Sequence, residues 1–215
     1  MGDRKQGTWR REVISAGTEQ TLRVLSEAKL VDGFYLAGGT GLALRFGHRL
    51  SMDLDFLNPE HFDEDAFLER LQVVDHFALA AKAPYTIHAT VEQTKVSFLG
   101  YAYPLLFPVE TFAGVSVADA RDIACMKVTA IASRGARRDF VDLYVSARHF
   151  GLDEILRLFD RKYARLNFSK VHLLKSFTFF ADAEKDPMPH MLEGLDWEKV
   201  RQFFLREAPR LLRGA

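Results

Sequence analysis

Between Phe34 and Leu57 the chain changes pattern three times, and those changes constrain its fold more than any other feature. A short apolar run, Phe34 to Ala37, meets Gly38-Gly39-Thr40 and continues as the Leu/Ala-rich stretch GLALRF, which reads as strand, turn and helix. SMDLDFL (51–57) then alternates with period two, so it reads as a second strand. Asp53 and Asp55 share one face of it, and Met52, Leu54 and Phe56 face a core on the other. A chain built this way needs a sheet with at least one helix packed on it.

The flanking sequence extends that plan. Residues 11–30, with apolar Ile14, Leu22 and Leu25 among charges, read as an amphipathic helix, and 61–72 as another with apolar positions 62, 66, 67 and 71. TIHATV and KVSFLGY both alternate and read as an antiparallel pair turning near Gln93 and Thr94. A helix is expected from Asp119, its N-cap, to about Arg134, stopping at Gly135. Another begins near Arg138, and residues 153–213 read as further helices around the loop KDPMPH. The expected organisation is an α/β (α+β) core with a mixed sheet over residues 1–118, followed by a C-terminal helical bundle over 119–215.

Bulk properties exclude more than they assign. Lys plus Arg equals Asp plus Glu at 29 each, so any nucleic-acid partner must meet a local basic patch rather than bulk charge. The single cysteine, Cys125, excludes an internal disulfide and fits a reducing cytoplasm. The opening MGDRKQGTWRR carries no signal-peptide pattern, and no apolar run is long enough to cross a membrane. A soluble cytoplasmic protein is the expectation.

The chemistry-bearing residues lie in two clusters. Two carboxylates two apart on a strand are near enough to share a hard cation, and oxygen-only ligation favours Mg²⁺ or Mn²⁺. Solvated strand faces carry such pairs too. Gly39, however, precedes Asp53 by fourteen residues, and two glycines in a turn between a strand and a helix let the backbone pass close to a ligand while the helix N-terminus offers free amides to an anion. The second cluster is helical. Lys127 is four residues after Ile123 and four before Ile131, which puts it on the apolar face of its helix. In RDFVDLYVSARHF, Phe140, Leu143, Tyr144 and Ala147 form the buried stripe, while Asp139 and Asp142 lie three apart on one flank, as ordinary surface acids also do.

GGTGLALRFGHRLSMDLDF resembles the opening motif of the AbiEii/AbiGii nucleotidyltransferases, toxins of type IV toxin–antitoxin and phage-abortive systems within the DNA polymerase β-like superfamily. DIACMKVTAIASRGARRDFVDLY resembles the second signature of that family. The resemblance implies a minimal nucleotidyltransferase core. Gly38, Gly39 and Thr40 would hold the triphosphate of an NTP. Asp53 and Asp55 would bind the metal, Lys127 would face the phosphates, and Asp139 and Asp142 would be the acids of the last motif. Arg134 and Arg138 match the motif as well, pairing with those acids or with phosphate. Many enzymes of the superfamily carry a third metal-site carboxylate on a later strand. KVSFLGY has none, and Glu92 and Glu110 only flank it, so an acid of the 139–142 helix is the remaining source.

The reaction so implied is attack by an acceptor hydroxyl on the α-phosphorus of an NTP, with pyrophosphate leaving. The acceptor would be tRNA or a protein, and a cognate antitoxin is expected as partner. The rival readings are a small-molecule, antibiotic-type nucleotidyltransferase and a non-catalytic interaction module on the same fold. Near the acids, Arg45, His48 and Arg49 are further candidates to meet substrate phosphate, Arg49 among the nucleotide-binding residues. In the C-terminal helices Arg161, Lys162, Arg165, Lys170 and Lys175 form at most a modest basic face.

Overall fold

The computed structural model describes residues 8–166 and 168–213; the expectation drawn from the first seven residues lies outside them. A 3-10 turn at Arg11–Val13 leads into α1 (Ala16–Glu27), capped by Ser15, whose hydroxyl accepts from the Thr18 amide. Then come β1 (Tyr35–Leu36), α2 (Gly38–Phe46), β2 (Leu54–Asn58) and α3 (Glu64–Leu71). β3 (Phe77–Ala83), β4 (Thr86–Val91), β5 (Thr94–Gly100), β6 (Glu110–Phe112) and β7 (Val115–Val117) complete the strands. The helices α4 (Ala120–Ser133), α5 (Arg137–Phe150), α6 (Leu152–Lys162), α7 (Lys170–Ser176) and α8 (Trp197–Arg213) follow.

The strands form one mixed seven-stranded sheet in the order β3-β4-β5-β2-β1-β7-β6. β1 runs antiparallel to β2 and parallel to β7, and β2 runs parallel to β5. TIHATV and KVSFLGY pair antiparallel as expected. β3, β6 and β7 are additional strands. β3 is alanine-rich and almost wholly exposed, so it shows no alternation of burial to read.

One sheet face carries Leu36, Leu54, Phe56 and Phe98 into a core closed by Leu22 and Leu25 of α1 and Phe67 of α3. The other face meets α4: Tyr35 and Leu57 pack with Ala118 and Ile123. A third core, including Phe140, Phe177 and Phe204, holds α4 to α8 together. These apolar surfaces supply the main driving force for the arrangement.

Three expectations are corrected. Met52 does not enter the core; it is 66% exposed, because β2 starts only at Leu54 and the approach to it follows its own path. The glycines form no separate turn, since the helix begins at Gly38 itself. Ile14 and Ala66 also stay outside the fully buried set, Ile14 being partly buried and Ala66 exposed.

Candidate active site

β1 ends at Leu36 beside β2, and the Ala37 amide donates to the Asp55 carbonyl, so the start of α2 lies against the strand that carries the acids. Gly38 adopts φ +59°, a region that favours glycine, and a Cβ there would overlap the Asp55 carboxylate. A Cβ on Gly39 would overlap the Arg49 guanidinium. The two glycines are therefore required by close approach: Asp55 and Arg49 press against the first turn of α2, where backbone amides lack helical partners. Thr40 is fully buried, and its hydroxyl is engaged by Ser51 and the Asp53 carbonyl. Its side chain thus fixes the path into Asp53, leaving only its backbone for an anion.

Asp53 and Asp55 are the accessible acids of the site. Asp55 is half-buried at the start of β2, opposite Ser97 of β5. The Asp53 carboxylate is about half exposed, 4.0 Å from Arg138, which is exposed to a similar degree. The position across the sheet from Asp55 is thus a serine, in keeping with the lack of an acid in KVSFLGY.

Behind the pair lies a buried ionic cluster. Asp142, fully buried, accepts from Arg49 Nε at 2.7 Å and Nη2 at 2.9 Å, and from His48 Nε2 at 2.8 Å. The Lys127 ammonium sits 2.7 Å from Asp142 and 2.9 Å from Asp139. Asp139, equally buried, also takes both Nε and Nη2 of Arg134. Burial by itself would raise both carboxyls. Arg49 and Lys127 reverse that for Asp142 and hold it well below the usual range, and Lys127 and Arg134 hold Asp139 low. Burial likewise opposes the Lys127 charge, but Asp142 and Asp139 raise it, so it stays an ammonium.

The sequence places all these residues in one neighbourhood, and the structure brings them together, with unlike exposure. Asp139 and Asp142 are not surface acids, because α5 packs between α2 and α4 and buries the flank that carries them. Their oxygens are occupied by Arg49, His48, Lys127 and Arg134, so neither is free to join Asp53 and Asp55 in holding a cation. Lys127 is enclosed between them rather than facing open space. His48 is held by Asp142, while Arg45 pairs with Glu110 and stacks on Trp9, away from the acids. One contributor escaped sequence reasoning: the segment before α8. The Leu192 amide donates to the His48 carbonyl and the Leu50 amide to the His190 carbonyl, strapping the chain that leads to Asp53. Nothing in MPHMLEG marks it as a strand partner.

The family model described as nucleotidyl transferase AbiEii toxin, type IV TA system, matches residues 20–213. An uncharacterised protein of Aquifex aeolicus (strain VF5) is 36% identical over 191 residues, covering 85% of this chain and 90% of that protein. Among solved structures, MenT4, a nucleotidyltransferase toxin from Mycobacterium tuberculosis H37Rv, superposes with a TM-score of 0.52 at 18% identity, over 91% of this chain and 86% of that one. The antibiotic-resistance factor ANT(2'')-Ia gives a TM-score of 0.52 at 14% identity, over 70% and 94%. These two likenesses show the shared fold. The match over nearly the whole length, on a core with paired acids set against a glycine-led helix, makes this chain a nucleotidyltransferase of the AbiEii toxin family.

Proposed function

We propose that the protein transfers a nucleoside monophosphate from an NTP to a hydroxyl of a macromolecular acceptor, RNA or protein, as the toxin of a type IV pair with a cognate antitoxin. The observation that carries this reading is the placement of Asp55 directly against the Gly38-Gly39 start of α2. It sets a carboxylate beside amides that suit a phosphate.

The donor set fits a hard divalent cation, since Asp53 and Asp55 offer oxygen alone. Bound there, Mg²⁺ or Mn²⁺ would offset the charge that develops on the phosphates. The amides of the first α2 turn would hold the triphosphate, with Arg134 and Arg138, both about half exposed, at its outer edge. These contacts orient and stabilise by charge, without covalent chemistry.

Arg49, Lys127, Asp139 and Asp142 act one step back in this reading. They fix α5 against α4 and the 48–51 segment, and so place Asp53, Asp55 and the α2 amides. Arg49 is 4% exposed with three of its nitrogens engaged, which suits an anchor better than a phosphate ligand. The test is incubation with each labelled NTP, Mg²⁺ and either bacterial RNA or protein extract, beside Asp53→Ala. Label passing to a macromolecule with the wild type alone is expected. Equal labelling by Asp53→Ala would remove the acid pair from the mechanism.

A further inference from the structure

Attack by a hydroxyl on phosphorus releases one proton, and the acids around the site are poorly placed to take it. In the proposed reaction Asp53 and Asp55 hold a cation, which makes a carboxylate a weaker base. Asp139 and Asp142 are closed by Arg49, Lys127 and Arg134. Asp122, also fully buried, is held by Lys162, which leaves the basic face expected from the sequence for this partner.

The sheet itself offers another group. Asp55 on β2 pairs with Ser97 on β5, and Ser97 pairs with His88 on β4, so the three form one row across neighbouring strands. Residues paired in register share a face of the sheet, and adjacent strands lie about 4.8 Å apart. This face is the open one. His88 is exposed and Ser97 half-buried, while their chain neighbours Ile87, Ala89, Val96 and Phe98 enter the core closed by α1 and α3. The Ser97 hydroxyl lies 3.0 Å from His88 Nδ1. His88 is two strands from Asp55, about 10 Å at that spacing, and Ser97 stands between them.

Little competes with the imidazole for the serine. β3 brings only the methyl of Ala81 opposite His88. On β5 the charged neighbour on the same face is Lys95, which pairs with Thr90. Asp55, His88 and Lys95 are thus the titratable groups that β2, β4 and β5 carry on this face, and of these an imidazole is the one suited to accept a proton near neutrality.

We propose that Ser97 and His88 form a proton relay, with Ser97 the catalytic residue that touches the acceptor hydroxyl and His88 the group that finally takes the proton. This rests on the proposed transfer reaction and adds the residues that accept its proton. As the acceptor oxygen bonds to the α-phosphorus, its O–H bond breaks and the proton passes to Ser97 Oγ. The proton of the Ser97 hydroxyl moves to His88 Nδ1, and pyrophosphate leaves with the electron pair of the broken P–O bond. The exposed imidazolium then gives a proton to solvent. Before the reaction His88 carries its proton on Nε2, so that Nδ1 accepts from the serine.

The test uses the full chain with α-labelled NTP, Mg²⁺ and bacterial RNA or protein extract, comparing wild type, His88→Ala, Ser97→Ala and Asp53→Ala. His88→Ala should lower kcat about a hundredfold while leaving the KM for NTP and the unfolding temperature unchanged. Free imidazole should then recover about tenfold, because the ring it replaces is exposed and a base in solution cannot repair a purely structural defect. Ser97→Ala should lose as much and gain nothing from imidazole. Independently of activity, ¹⁵N spectra in mildly alkaline buffer, with the His88 signal identified by its absence from His88→Ala, should show Nδ1 without a proton. The relay is overturned by wild-type kcat in either variant, by a His88→Ala loss that imidazole leaves unrepaired, or by a proton on Nδ1. Label passed no better by wild type than by Asp53→Ala would strike the transfer reading together with the relay. An active wild type matched by His88→Ala would strike the relay alone.

Discussion

At the residue scale, the two pairs of acids separate by environment. The Asp53 carboxylate is about half exposed and contributes little to packing, so Asp53→Ala should abolish transfer while leaving the unfolding temperature within experimental error, checked by the label assay beside a melting curve. Asp142 is the reverse. It is the meeting point of Arg49, Lys127 and His48, all buried, and its removal strands two cations away from water. Asp142→Ala should therefore cost about 3–5 kcal/mol, read from urea unfolding, with any loss of activity following the loss of fold. Gly38 joins the two environments. Gly38→Ala faces both a positive φ and the Asp55 carboxylate, so it should lower kcat at least tenfold and stability by about 1 kcal/mol. A wild-type kcat in this variant would show that the close approach of α2 to Asp55 is not needed.

At the element scale, the site is a junction of the sheet, the start of α2 and the helices α4 and α5. Each element has its own reason to form. α4 starts where Asp119 caps it and stops where Gly135, at φ +57°, turns the chain. α5 continues until Gly151 at φ +80°. What aligns them is the buried ionic cluster together with the strap from 190–192. Leu192 is 41% exposed, so its side chain matters little, but its amide holds the His48 carbonyl. Leu192→Pro removes that donor. It should lower kcat several-fold while changing the unfolding temperature little, because the 48–51 segment then positions Asp53 less well. Equal losses in both measurements would make the strap a purely stabilising element.

At the scale of the whole molecule, the buried cluster ties stability to pH. Asp139 and Asp142 have folded values below their unfolded value of about 3.9. Their contribution is complete above that value and is lost as pH falls through the folded one. Lys127 is raised, so its contribution is complete below about pH 10.4 and lost as pH rises through its folded value. Stability should therefore be level from about pH 5 to 9. The gap between wild type and Asp142→Asn should be constant there and narrow below pH 4. A gap that stays constant down to pH 3 would mean that Asp142 is not ionised by its neighbours.

Local pattern was enough for much of this. Alternation in KVSFLGY, the helical face through Ile123, Lys127 and Ile131, and the caps at Asp119 and Gly135 are short-range signals, and each of these elements formed where they stand, whereas the strand read over SMDLDFL begins only at Leu54. Pairing between distant strands was not legible, because β1 and β7 are short and β3 shows no alternation of burial. Nor did spacing along the chain separate the open acids from the closed ones. Asp53-x-Asp55 and Asp139-x-x-Asp142 look alike as residue types, and only packing decides that one pair meets solvent while the other is enclosed by Arg49, Lys127 and Arg134. The same holds for Lys162, which left the basic face for Asp122. By itself the sequence determined the family, the elements and the candidate residues, since these follow from local periodicity and motif. The tertiary structure alone decided which charges are neutralised inside and which remain free to act, because burial and ion pairing depend on residues nearly a hundred positions apart.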